Sequence, residues 1–303
     1  MPSPAVSICI PAYKAERYLR ETLDSAKAQT FTDWEMIVTE DGSRDGTEQI
    51  VNDFAKGVSQ RVVYHRHDPN RGLPATRNHG ISTATAPWIA LLDSDDLWLP
   101  THLEDLMSRA AQGGVDLVHA GSRLFDSDTG KDLELRVPSA EDIATFPTSL
   151  YDGSYIIQPS SVLLSRDLWK KVGGFNPEFR YVEDREMWLR CARALGRFAY
   201  TGNVTMRYRK HASALSKHAA PMALALAQVC EQHVDWTGLP KTLRHQKTVG
   251  AWTAAGRISL REQPKAAARY FAKALRYSRL NPRLWAYWAT ATVLGWSKPS
   301  STK

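Results

Sequence analysis

Short apolar runs that stop abruptly in acids constrain this chain most. Trp34–Val38 runs into Thr39-Glu40-Asp41-Gly42-Ser43, and Trp88–Leu92 runs into Asp93-Ser94-Asp95-Asp96. A short apolar run bounded by turn residues reads as a buried strand. Acids at its end then lie on the carboxyl edge of the sheet, where open α/β sheets bind ligands. Side chains two apart on extended chain return to the same side, so Asp93 and Asp95 can share one hard cation. The pattern implies a metal-assisted site for a nucleotide diphosphate.

The rest of the first two hundred residues supports that sheet. Val6–Ile10 reads as a strand ended by Pro11, Arg61–His65 as a third strand, and Val115–His119 as a later one. Between them, helical spacing covers Ala15–Gln29, a helix opening at Asp45-Gly46-Thr47, Leu73–Ser82 and Pro100–Ala111. Strands alternating with helices predict βαβ units with right-handed crossovers. From 122 to 159 the periodicity weakens, with short strands at Ser122–Phe125 and Glu134–Val137 and a short helix at Glu141–Thr145. Ser161–Leu164 is a strand, Arg166–Val172 a helix, Gly173-Gly174-Phe175 a turn and Glu183–Ala194 a helix. Phe198–Tyr200 and Val204–Tyr208 are strands, and a flexible segment, Arg209–His218, closes the α/β part. Beyond it the pattern is helical: Met222–Val234, Leu243–Leu260, Pro264–Ser278 and Pro282–Leu294. Ala267, Phe271 and Ala274 followed by Pro282 resemble one tetratricopeptide hairpin, too little for a repeat array.

Composition excludes several classes. Cys9, Cys191 and Cys230 are far apart, which rules out a disulfide framework and a cysteine-rich zinc site. Neither a signal peptide nor an apolar run of membrane-spanning length is visible, so a cytoplasmic protein is expected. The net charge of +7 hides an asymmetry: residues 236–303 hold 13 Lys/Arg against one acid, Glu262. A basic segment suits an anionic partner.

Five motifs occur in order: Ser7-Ile8-Cys9-Ile10-Pro11-Ala12-Tyr13, Glu40-Asp41-Gly42-Ser43-Arg44-Asp45-Gly46-Thr47, Ala75-Thr76-Arg77-Asn78, Leu92-Asp93-Ser94-Asp95-Asp96, and Gly173-Gly174-Phe175 with Glu183-Asp184-Arg185-Glu186-Met187-Trp188. Together, over roughly residues 5–212, they resemble the family 2 glycosyltransferases. The resemblance implies a GT-A, Rossmann-like, mostly parallel α/β sheet flanked by helices over residues 1–218, with a basic, Trp-containing helical region over 219–303. It also implies an inverting transfer from a nucleotide-diphosphate sugar, UDP-sugar favoured, with Mn²⁺ or Mg²⁺. Processive members carry a Gln-x-x-Arg-Trp signature and membrane spans; their absence here favours single addition to a glycan or lipid-linked acceptor in bacterial surface polysaccharide or glycolipid synthesis. A sugar nucleotidyltransferase would show a Gly-rich basic loop where Pro11-Ala12-Tyr13-Lys14 stands. An inactive binding scaffold is the non-enzymatic alternative.

By the same resemblance, Pro11 and Tyr13 wall the nucleotide pocket and Asp41 hydrogen-bonds the base, against the alternative that Asp41 serves turn and cap chemistry. Arg77 binds donor phosphate, or alternatively pairs with a motif acid. Asp93 contacts ribose or metal, Asp95 binds the metal, and His211 is a second metal candidate, with Arg209 or Lys210 as partners for the leaving phosphates. Asp96 caps the next helix or supports the site indirectly. Asp184 is the general base. Glu183 steers acceptor or base, and Trp188 either supports the base or stacks on a sugar, unless it is core. In the tail, Trp236, Trp252, Trp285, Trp288 and Trp296 interleave with basic residues. That suits an anionic membrane surface, which would put the protein at its inner face. The alternative is Trp packed inside and a solvated basic face. No nucleic-acid-binding signature is present.

Overall fold

Each apolar run becomes a strand because its residues have a protein surface to meet on both sides. In the computed structural model, which describes residues 3–211 and 218–297, the first part of the chain runs β1 (Val6–Ala12), α1 (Leu19–Lys27), β2 (Trp34–Glu40), α2 (Thr47–Ala55), β3 (Val62–Arg66), α3 (Leu73–Thr83) and β4 (Trp88–Leu91). Then come β5 (Leu97–Trp98), α4 (His102–Ala111), β6 (Leu117–Asp126), β7 (Asp132–Arg136), α5 (Ala140–Ala144) and α6 (Thr148–Asp152). A 3-10 turn, Pro159–Ser161, leads to β8 (Val162–Ser165), α7 (Arg166–Val172), α8 (Glu183–Arg193) and β9 (Phe198–Lys210). Every residue of β1 and β2 is buried.

The strands form one sheet in the order β3-β2-β1-β4-β8-β6-β9-β5, with β7 added beside β6. Its first half, β3 through β4, is parallel. The second half is antiparallel apart from the β6–β9 pair. This is the expected GT-A-type α/β sheet, and the antiparallel strands come from the segment where periodicity weakens. Ile8, Ile10, Met36, Val38 and Ala90 pack against Leu19 and Leu23 of α1 and Leu103 and Leu106 of α4.

Three local expectations are corrected. Pro11 does not end β1; it pairs in register with Thr39. Its missing N–H costs nothing there, because β4 pairs with β1 only as far as Cys9, leaving an open edge on that side. The two short strands expected at 115–119 and 122–125 are one strand, β6, bulged near Gly121. Phe198–Tyr200 and Val204–Tyr208 are likewise one strand, β9. It absorbs Arg209 and Lys210 from the segment read as flexible. Residues 212–217 of that segment lie outside the described residues.

The described residues from His218 onward form a second compact unit. It consists of α9 (Ala219–Gln232), α10 (Lys241–Ser259), α11 (Pro264–Tyr277) and α12 (Pro282–Ser297). Ala267, Phe271 and Ala274 of α11 meet Trp252 of α10 and Leu284 and Ala291 of α12 in its core. Among the described residues no helix is long and apolar enough to cross a membrane.

Candidate active site

The acids of two motifs meet at the carboxyl edge of the sheet, and a buried arginine joins them. Arg77 leaves α3, its side chain 1% exposed, and donates through one terminal nitrogen to Asp93 at 2.6 Å and through the other to Glu183 at 2.6 Å. Its guanidinium lies over the Phe175 ring, 5.3 Å from the centroid. Both forks are therefore occupied by protein. The donor-phosphate reading of Arg77 gives way to the pairing with motif acids: Arg77 connects the end of β4 to the start of α8.

Asp184 follows Glu183 in the first turn of α8 and is partly buried. Its carboxylate accepts from the backbone N–H of Arg185 at 2.7 Å. Burial raises its pKa above the usual aspartate value, and the charge of Asp93 adds to the rise. Glu183 is pushed up to about 7 by burial, with the Arg77 charge opposing and the Asp184 charge assisting. A raised carboxylate is a stronger base than an ordinary one, which suits removal of a hydroxyl proton.

The acids after β4 are held by a clasp that no sequence motif announced. Ser160 Oγ accepts from Asp93 N at 2.9 Å and donates to Asp96 at 2.6 Å. Asp96, 1% exposed, also accepts from Arg209 N at 3.0 Å. Burial and the charges of Asp95 and Asp93 raise its pKa well above the usual value. Asp96 thus supports the site indirectly; it does not cap α4, whose N-cap is Thr101. Arg209 donates to Asp95 O at 2.7 Å and to Glu21 at 2.6 Å, with its guanidinium over Tyr18. These bonds are structural, which removes Arg209 from the phosphate-binding candidates. Ser160 and Glu21 sit in no motif; only the fold brings them to Asp96 and Arg209.

His211, just beyond β9, places Nε2 2.8 Å from Asp95 Oδ2. Asp95 keeps 35% of its side chain exposed and Asp93 23%. Among the described residues no group of three or more His, Cys, Asp or Glu is arranged to hold a metal. The residues nevertheless fit a hard cation, which takes one or two carboxylates from the protein and completes its shell with substrate phosphates. The mutual repulsion of Asp93, Asp95 and Asp96 gives it an electrostatic reason to bind.

Asp41 stands on the far side of β1. Its carboxylate accepts from the backbone N–H groups of Arg71 and Gly72, each at 2.8 Å, and meets His67 Nδ1 at 2.9 Å. Against the cost of burial, these bonds hold its pKa below the usual value. His67 Nε2 lies 2.7 Å from His79 Nδ1, and His65 stacks on His79. Asp41 so fixes the loop that opens α3. Asp45 accepts from the Thr47 hydroxyl at 2.7 Å at the start of α2. Pro11 is buried in β1, and Tyr13 is half exposed just after it. Trp188 is 1% exposed, stands edge-on to Phe175 and donates its indole N–H to Ile157 O at 3.1 Å. A ring so enclosed has no free face, so the sugar-stacking reading is corrected: Trp188 is core beneath the site.

The pattern described as "Glycosyl transferase family 2" matches residues 7–172. An uncharacterized glycosyltransferase of Rickettsia typhi is 30% identical over 258 residues, 82% of this chain and 75% of that protein. A Bacillus subtilis protein named as the teichuronic acid biosynthesis glycosyltransferase TuaG is 28% identical over 186 residues, 61% of this chain and 71% of that protein. Among solved structures, Staphylococcus aureus TarS residues 1–349 in complex with UDP-GlcNAc superposes with a TM-score of 0.71 at 18% identity, covering 96% of this chain and 89% of that one. The mannosyltransferase PcManGT of Pyrobaculum calidifontis, in complex with GDP-Man and Mn²⁺, gives 0.63 at 18% identity over 98% and 88%. At such identities the superpositions establish the shared fold.

Proposed function

The chain belongs to glycosyl transferase family 2, and on that premise we propose that it transfers one sugar, with inversion, from a UDP-sugar to a hydroxyl of a bacterial surface polysaccharide or glycolipid. The observation that carries this reading is the Arg77 bridge, which sets the donor-side Asp93 against Glu183 and its neighbour, the base Asp184. TarS bound to UDP-GlcNAc and TuaG of teichuronic acid synthesis support the donor and the acceptor class. The transfer machinery is assigned to residues 1–218.

In this reading Asp184 takes the proton from the acceptor hydroxyl as its oxygen bonds to the anomeric carbon. The bond from that carbon to the donor phosphate breaks on the opposite face, and its electron pair leaves with the nucleoside diphosphate. Asp95 and His211 would hold Mn²⁺ or Mg²⁺, which when bound supplies positive charge to the departing diphosphate. Pro11 and Tyr13 border the base, beside the loop that Asp41 holds, and Asp93 faces the ribose. Arg77 acts through Asp93 and Glu183 as a positioning residue.

Calorimetric titration of UDP, GDP and TDP, with and without Mn²⁺, tests the donor site. Binding of UDP that needs Mn²⁺ and weakens on the order of tenfold or more in Asp95→Ala is the expected result. Folded protein that binds none of the three removes the assignment, and GDP bound in preference to UDP moves the donor class.

A further inference from the structure

The second unit ends in a helix whose outer face is bare of charge and rich in exposed apolar rings. From Leu284 to Ser297, α12 contains no Asp, Glu, Lys or Arg. Leu284 and Ala291 turn inward to Phe271 and Ala274. On another side Trp285, Ala289, Val293 and Trp296 recur at spacings of four, four and three, which puts them on one face of a helix. Trp285 is 50% exposed, Val293 69% and Trp296 88%.

Cations stand at both ends of this stripe. Trp285 donates its indole N–H to Arg279 O at 2.8 Å, and Arg279 and Arg283, both exposed, precede it in sequence. At the other end, the stem of exposed Lys265 approaches Gly295 so closely that a Cβ there would lie 3.0 Å from Lys265 Cγ. Between Lys241 and Arg283 the sequence has eleven Lys/Arg and one acid, Glu262. Trp and aliphatic side chains on one helix face, bounded by Lys and Arg, match the two layers of an anionic bilayer surface: acyl chains at the boundary and phosphates above them.

We propose that this face of α12 seats the protein on an anionic lipid surface, with Trp285, Val293 and Trp296 entering the headgroup boundary and Lys265, Arg279 and Arg283 pairing with lipid phosphates. A second copy of this chain is the less fitting occupant, because its own outer face would bring the same cations together. The proposal concerns binding alone and stands whether or not the donor-site assignment does.

Flotation of the full chain with vesicles tests it. One set of vesicles is phosphatidylcholine; the other is an equal mixture of phosphatidylcholine and phosphatidylglycerol. Binding to the mixed vesicles, lost in 0.5 M NaCl and absent with phosphatidylcholine alone, is expected. Trp285→Ala with Trp296→Ala should abolish it at an unchanged melting temperature, and Arg279→Gln with Arg283→Gln should weaken it by roughly fivefold per cation removed. Absence of wild-type binding to the mixed vesicles, or double Trp variants that float like wild type, overturns the proposal. So does a concentration-dependent dimer that the Trp variants dissolve while vesicle binding is absent, which assigns the face to a second copy.

Discussion

Arg77 concentrates the electrostatic problem of the site in one side chain. It is fully buried between two carboxylates, and their charges hold its proton more firmly than usual against the cost of burial. Removing one member of a buried ion pair costs far more than the pair contributes, because an uncompensated charge stays behind. Arg77→Met is therefore expected to destabilise the protein by about 3–5 kcal/mol in urea unfolding. Arg77→Lys, which keeps the charge but not the fork, should lose less stability and still lose turnover. Asp184 carries the other residue-scale expectation. A base must be ionised to act, so its raised pKa moves the acidic limb of the rate profile above the ordinary aspartate range. Turnover should rise with pH through that shifted pKa and level off. Asp184→Asn should cut kcat by roughly a hundredfold to ten-thousandfold and erase the limb. A variant that retains both the rate and the limb would assign the proton transfer elsewhere.

Between elements, the decisive contact joins α3 to the turn before α8. Asn78 donates to Phe175 O at 2.6 Å and accepts from Phe175 N at 2.8 Å, across 97 residues of sequence. Gly174 lets this happen: its φ is +74°, and a Cβ there would lie 2.6 Å from Asn78 Oδ1 and 3.0 Å from Trp169 Nε1. Gly174→Ala should cost about 1–3 kcal/mol, and it should lower kcat as well, since α8 carries Asp184. Gly173→Ala shares a positive φ but meets nothing within 4 Å, so it should spare turnover even where it costs stability. The contrast shows what a sequence can carry. Gly173-Gly174-Phe175 reads as a turn because glycine chemistry is local, and the acid-terminated runs read as strand ends because burial imposes a period. That Asn78 needs Gly174, that Ser160 holds Asp93 and Asp96, and that Trp188 lies inside the core follow only from packing between distant segments. The bulged strands β6 and β9 read as divided at their turn residues for the same reason: a bulge looks local, while the ladder that carries it across is not.

For the whole molecule, acid pulls stability in two directions. Glu183 and Asp184 have raised pKa values, so the folded state binds their protons first and gains as pH falls toward the unfolded carboxylate range. Buried histidines act oppositely. His102 is stacked on Trp98 at 4.7 Å and sits 2.8 Å from Thr205 Oγ1, and burial pushes its pKa down to about 3. His119, against Tyr155, is pushed down to about 4. Below the unfolded histidine value of about 6.5 the unfolded chain takes up a proton that folded His102 refuses, so this contribution is present above that pH and lost as pH falls toward about 3. The loss runs at about 1.4 kcal/mol per pH unit. Because the carboxyl and histidine effects overlap, the sign of the total pH profile does not isolate either. A difference does: His102→Gln lacks the titrating ring and keeps every other group. Its stability relative to wild type should therefore improve by about 2 kcal/mol between pH 7 and pH 5, in urea unfolding at both values. A difference that does not change with pH would mean that folded His102 takes up its proton over the same pH range as the unfolded chain, its burial relieved by water.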